Sequence, residues 1–202
     1  MSTLSVLAKT LPASKLYLRL TKEALLALPE EEQRLLLGFK LDVKSERLLV
    51  LHGAKNVAWE VAQRDDRLKG KYMARDDVTI EELQEVADCG SIIEAILWSR
   101  ALLGEEKLYA LWRRSIDLGC AEEIADVLVG QASIKFVVKH FDELFPYSTP
   151  ESLQDLLRYK TLPLEQAKKI VNVLSPRECK SLLSEPQNIR DEIRGLLQER
   201  MF

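Results

Sequence analysis

The stretch Thr149–Gln187 reads TPESLQDLLRYKT (149–161), LPLEQAKKIVNVL (162–174) and SPRECKSLLSEPQ (175–187). Three of its four prolines fall at 150, 163 and 176, an interval of thirteen residues, and the fourth is Pro186. A proline suits the first position of a helix, where the missing N–H would have had no acceptor anyway. Thr149 and Ser175 stand directly before two of them as N-caps, and Ser175 with Glu178 has the spacing of a capping box. Set in register, Leu157, Ile170 and Leu183 share one column, and Leu153 and Cys179 share another that Gln166 interrupts. Two such helices make a hairpin of about 26 residues, slightly shorter than common helical repeats. The spacing therefore points to an α-solenoid-like repeat in the C-terminal two-thirds. A compact bundle of evenly sized helices gives the same period, so both arrangements stand.

Upstream of this stretch the punctuation is glycine. Thr79 and Glu82 form another capping box, opening a helix through Leu83, Val86 and Ala87 that is expected to stop near Gly90. Gly104, Gly119 and Gly130 read as further helix ends. The pieces between them are about three turns long, and short connections make neighbours antiparallel. Apolar residues then fall on one face of each piece. Leu108, Leu111, Trp112 and Ile116 do so in 105–118, and Ile134, Val137, Val138, Phe141 and Leu144 in 132–145. Leu164, Ala167, Ile170, Val171, Val173 and Leu174 do so in 163–174, and Ile189, Ile193, Leu196 and Leu197 in the last helix. Helix 91–103 differs, because Ile92, Ile93, Ile96, Leu97, Trp98 and Leu102 surround it, and this places it in the middle of the core.

The N-terminal part is less regular. Pro29 opens a helix whose Glu30, Glu31 and Glu32 suit its positive end, and Thr21–Leu28 forms a short helix before it. Residues 16–20 and 47–51 have the length of strands, but β-branched residues are scarce there and helix is the reading. A helix is expected over 55–69, and 69–77 (KGKYMARDD) as a loop or hinge. The chain is accordingly divided into an N-terminal helical subdomain, 1–75, and a helical-hairpin array, 76–202, with one continuous domain as the alternative.

Composition agrees with helices. Of 202 residues 36 are leucine, against 8 glycines and 7 prolines, which disfavours all-β and Gly-rich folds. The net charge of −3 excludes a polybasic chain, although residues 1–75 hold 14 basic and 9 acidic groups and residues 76–130 hold 4 and 13. Cys89, Cys120 and Cys179 form no paired motif, and an odd count suits a reducing cytoplasm, the expected location. Packing is the ordinary role for all three. Lys9, Pro12 and Lys15 interrupt any export-signal core, and no run of 18 apolar residues exists, so no membrane role is expected.

Chemistry-bearing patterns are missing. There is no Walker loop, GxGxxG, HExxH, GxSxG or EF-hand pattern, and neither His52 nor His140 completes a Glu-x-x-His pair. No catalytic residue, metal ligand or cofactor is assigned. The acidic doublets, such as Asp65–Asp66 and Glu122–Glu123, are explained by helix ends and solvation. What stands out for binding is Trp59, opposite the apolar stripe of its own helix, among Arg64, Arg67, Lys69, Lys71, Tyr72 and Arg75. Arg113 and Arg114 add two cations on a later polar face. The expectation is an all-α protein of about a dozen short antiparallel helices that acts without catalysis, as an adaptor, scaffold or regulator binding a protein partner. The alternative is nucleic-acid binding through the basic segment 55–75.

Overall fold

The computed structural model describes residues 17–159, 161–184 and 189–201. Within them are fifteen α-helices and one pair of two-residue strands, so the protein is all-α. It divides into two compact units, Met1–Arg114 and Ser115–Phe202.

In the first unit β1 (Tyr17–Leu18) lies parallel to β2 (Lys40–Leu41), pairing Tyr17 with Lys40 and Leu18 with Leu41. The helical expectation for 16–20 is thus corrected at Tyr17–Leu18, where the chain is extended to reach a partner. Residues 47–51 are helical as expected. Helix α1 (Lys22–Leu26) starts at Thr21, whose hydroxyl accepts from Ala24 N at 3.2 Å, and α2 (Glu30–Leu35) follows Pro29 with three glutamates in its first turn. Helix α3 (Val43–His52) is capped by Asp42, which accepts from Ser45 N at 2.7 Å. Gln33 is buried and ties three segments together. Its amide donates to Leu28 O at 2.9 Å, and its carbonyl accepts from Ala54 N at 2.7 Å.

The helix expected over 55–69 is two: α4 (Lys55–Ala62) and α5 (Asp66–Met73). Asp65 causes the break, since its carboxylate accepts from Leu68 N at 2.8 Å and starts a new helix. The stretch 69–77, read as a loop, is helical through Met73 for the same reason. Helix α6 (Ile80–Val86) has the expected Thr79–Glu82 capping box, and Asp88 with Ser91 makes a second box at the start of α7 (Cys89–Ser99). Gly90 therefore lies inside a helix start rather than at a stop.

Helices α5 and α7 make the closest packing in this unit. A Cβ on Gly70 would come within 2.7 Å of the Ala95 backbone nitrogen, so the two backbones touch with no side chain between them. Only glycine permits that approach. Helix α8 (Glu105–Asp117) buries Leu108, Leu111 and Trp112 along the predicted stripe.

The second unit holds α9 (Ala121–Gln131), α10 (Ile134–Lys139), α11 (Phe141–Leu144), α12 (Pro150–Tyr159), α13 (Leu164–Val173), α14 (Pro176–Ser184) and α15 (Asp191–Arg200). Gly119 precedes α9 with φ of 75°, the left-handed conformation that makes it a helix stop. The single helix expected over 132–145 is interrupted at His140, which ends α10 and begins α11. The run of β-branched and aromatic residues there has low helix propensity, and the His140 ring packs 4.7 Å from Phe136. Thr149 accepts from Ser152 N, and the Ser175–Glu178 box is present in both directions, at 2.6 and 3.3 Å. Leu153, Leu157, Ile170 and Cys179 are buried, and Gln166 donates to Val138 O at 2.9 Å. Val173 and Leu164 depart from the predicted apolar face of α13, being 58% and 39% exposed. Cys179 is a free buried cysteine, as packing predicts, whereas Cys89 and Cys120 are not free thiols, which corrects the packing role for those two.

Two glycines with opposite surroundings test the close contact. Gly70→Ala is expected to destabilise the fold by about 1–3 kcal/mol through overpacking, despite alanine's better helix propensity. Gly195→Ala, mid-helix in α15 with nothing within 4 Å of its Cβ position, is expected to stabilise by about 0.5–1 kcal/mol. Urea denaturation of the two variants reads both signs.

Candidate interaction surface

The basic and aromatic residues selected from sequence lie on α4, α5 and the turn after it, and most have partners inside the first unit. Arg75 is buried, its side chain only 7% exposed. Its Nη1 donates to Val50 O at 2.7 Å and its Nη2 to Gly53 O at 2.9 Å, so it caps the C-terminal end of α3. The same guanidinium grips Asp77 with two hydrogen bonds of 2.7 and 2.6 Å. A cation at a helix C-terminus is favoured by the dipole, and a fork geometry saturates a carboxylate in a way a lysine would not.

Around this centre further cations close other backbone ends. Lys55 Nζ reaches Asp77 O at 2.7 Å and both Glu82 oxygens at 2.6 Å, linking α4 to the capping box of α6. Lys107 of α8 donates to Arg75 O and to Met73 O, covering carbonyls left open at the end of α5. Glu82 holds Lys55 above the usual lysine range, whereas burial pulls Lys107 and Lys71 below it.

The remaining members are similarly engaged. Arg64 pairs with Glu46 at 2.6 Å, Arg67 with Glu94 at 3.5 Å and Lys69 with Asp88. Lys71 is half-buried. Trp59 is half-buried against the Tyr72 ring, centroids 5.1 Å apart and tilted by 48°, and Tyr72 itself is buried beside Arg75. Arg113 is exposed and Arg114 half-buried on α8, apart from this cluster in sequence. The structure thus brings Trp59, Tyr72 and Arg75 together and turns Arg64, Arg67 and Lys69 toward neighbouring carboxylates.

Among the described residues the most exposed aromatic is elsewhere. Trp98 is 65% exposed, with Leu97 at 38% and Leu102 at 55% beside it, at the C-terminal end of α7 and in the turn that follows. This corrects the placement of helix 91–103 in the middle of the core. Ser91, Ile92, Ala95, Ile96 and Ser99 are its buried side, and the other side faces solvent. The sequence carries the signal for this face in an excess of apolar positions over what one buried side requires. Contiguous exposed apolar surface on a folded protein marks an interaction site more often than scattered residues do.

Among the described residues no group of three or more His, Cys, Asp or Glu is placed to hold a metal ion, and no helix is long and apolar enough to cross a membrane. No known protein family, curated protein or solved structure matches the chain.

The Arg75–Asp77 pair makes a defined pH prediction. Arg75 hydrogen bonds hold the Asp77 carboxyl below its ordinary range against the opposing effect of burial. A depressed folded-state pKa adds stability above the unfolded value, and that stability is lost as pH falls through the folded value. Asp77→Asn is therefore expected to melt below the wild type at pH 7, with the gap closing as pH falls below about 4. Arg75→Ala leaves the Val50 and Gly53 carbonyls without their donor as well as freeing Asp77, and is expected to lower the melting temperature at pH 7 further than Asp77→Asn does.

Proposed function

We propose that the protein is a non-catalytic protein-interaction module, an adaptor, scaffold or regulator, that docks a protein partner on the outer face of α7. The observation carrying this reading is the exposure of Trp98 beside Leu97 and Leu102. Tryptophan is enriched among residues that dominate binding energy, because its large apolar face gains much on burial. The helical frame supports the same role through its C-terminal helices, which we read as repeat-like hairpins. In support, Leu157 and Ile170 are buried at the thirteen-residue interval and Leu183 is half-buried, while Leu153 and Cys179 are buried on either side of the half-buried Gln166. Arrays of that kind expose long faces to partners. The basic segment 55–75 supports nucleic-acid binding less, since Arg64, Arg67, Lys69 and Arg75 each face a carboxylate of the same unit.

Affinity capture from the native host with wild type and Trp98→Ala tests the proposal. An exposed substitution is expected to change stability by no more than about 0.5 kcal/mol. The wild type should recover a stoichiometric protein partner whose yield drops at least about tenfold with Trp98→Ala. Equal recovery by both proteins removes α7 as the docking face. Salt-sensitive oligonucleotide binding without any protein partner overturns the interaction reading itself. Fluorescence reports the same surface, because Trp112 is fully buried and Trp59 half-buried, so Trp98 carries the quencher-accessible emission that a bound partner should shield.

A further inference from the structure

We propose that Arg47 of α3 and Lys71 of α5, with Lys44 beside them, form a binding site for a small phosphate monoester. Two anchors set the helices alongside each other. Arg64, just before α5, pairs with Glu46 in the first turn of α3 at 2.6 Å. Arg75, just after α5, donates to the Val50 and Gly53 carbonyls at the other end of α3, at 2.7 and 2.9 Å. Helix α5 therefore packs along α3 in the same direction, and Arg47 and Lys71 come together between the anchors. Their separation is short enough for the Arg47 charge to act on the Lys71 ammonium. Lys71 is half-buried and Arg47 exposed, and the exposed Lys44 lies one turn before Arg47 on the same face of α3.

These cations differ from the others of the unit. Lys55, Arg64, Arg67, Lys69 and Arg75 each meet a carboxylate, whereas among the described residues neither Arg47 nor Lys71 has an ion pair. Glu46 is taken by Arg64, and Glu94, which draws on Lys71, is taken by Arg67 at 3.5 Å. Burial and the Arg47 charge both press the Lys71 ammonium toward its neutral form, so the fold holds two like charges together against their repulsion. An anion touching both relieves that repulsion. A phosphate monoester suits the pair, because it carries about two negative charges at neutral pH and has three acceptor oxygens. Two of these can meet the Arg47 fork while the third takes the lysine. A carboxylate, with a single charge, neutralises only one of the two cations. The site lies on α3 and α5 and is independent of the docking face on α7.

The test is an NMR titration of the whole chain with inorganic phosphate and with glycerol phosphate, in chloride buffer of constant ionic strength. Both should saturate one site. The Lys71 side-chain amine should titrate at higher pH with phosphate than with chloride, since an adjacent anion favours its charged form. Arg47→Ala and Lys71→Met should each weaken binding at least about tenfold. Lys69→Ala, which removes a cation already paired with Asp88, should change it less than about twofold. Thermal melts in chloride show that each variant is folded. Phosphate acting no more than chloride overturns the proposal, as does binding that survives Arg47→Ala and Lys71→Met. Binding that falls equally with Lys69→Ala marks a diffuse cationic surface and also overturns it. Phosphate binding without glycerol phosphate binding means an adventitious ion only. Should a variant fail to fold, the wild-type titration decides, and a Lys71 amine unmoved by phosphate removes the site.

Discussion

A guanidinium taken out of water has to find acceptors for its N–H groups, and Arg75 finds them in three places at once. The carbonyls of Val50 and Gly53, at the end of α3, and the Asp77 carboxylate converge on it. That arrangement sets where α3 ends, where α5 turns toward α6, and how Asp77 stands beside Lys55 and Glu82. Losing Asp77 leaves the buried Arg75 charge short of its carboxylate, and losing Arg75 leaves the Val50 and Gly53 carbonyls without their donor, so these contacts act as a unit rather than as separate pairs. Lys107 extends the same logic from α8, donating to the backbone that leads into Arg75.

The basic excess of residues 1–75 acquires a different meaning beside this network. Arg64, Arg67, Lys69, Lys55 and Arg75 are each matched by a carboxylate, and Glu82, Asp77, Asp88 and Glu94 come from the acidic stretch that follows in sequence. Segregation of charge along the chain becomes pairing of charge across helices. A field extending into solvent is weakened accordingly, because each cation is neutralised within a few ångströms. The apolar end of α7 stays exposed on the surface, and there the chemistry that favours a partner is burial rather than charge.

Helix capping is legible in the residue order alone. Thr79 with Glu82, Ser175 with Glu178, and Thr149 before Pro150 all cap the helices their spacing predicts, since a cap depends on residues within one turn of each other. Helix breaks caused by short-range competition are partly hidden. Asp65 and His140 divide helices whose apolar periodicity runs on past them, and periodicity does not register a side chain that starts a new helix or a ring that packs back on its own turn. The exposed face of α7 escapes the pattern for a related reason. Apolar residues all round a helix imply a central position, yet Trp98 and Leu102 face outward while Ile92 and Ile96 face in.

By itself, then, the order of residues determined that this protein is helical, where most of its helices begin, and which stripes of leucine, isoleucine and valine are buried. Those properties depend on neighbours three or four positions away. Only the tertiary structure decided that Gly70 is a contact with the Ala95 backbone, that Arg75 is an internal clamp rather than a surface cation, and that Trp98 is the exposed tryptophan. Each of those depends on which helix lies across from the residue, and the spacing of apolar positions within one helix says which side packs without saying what packs against it.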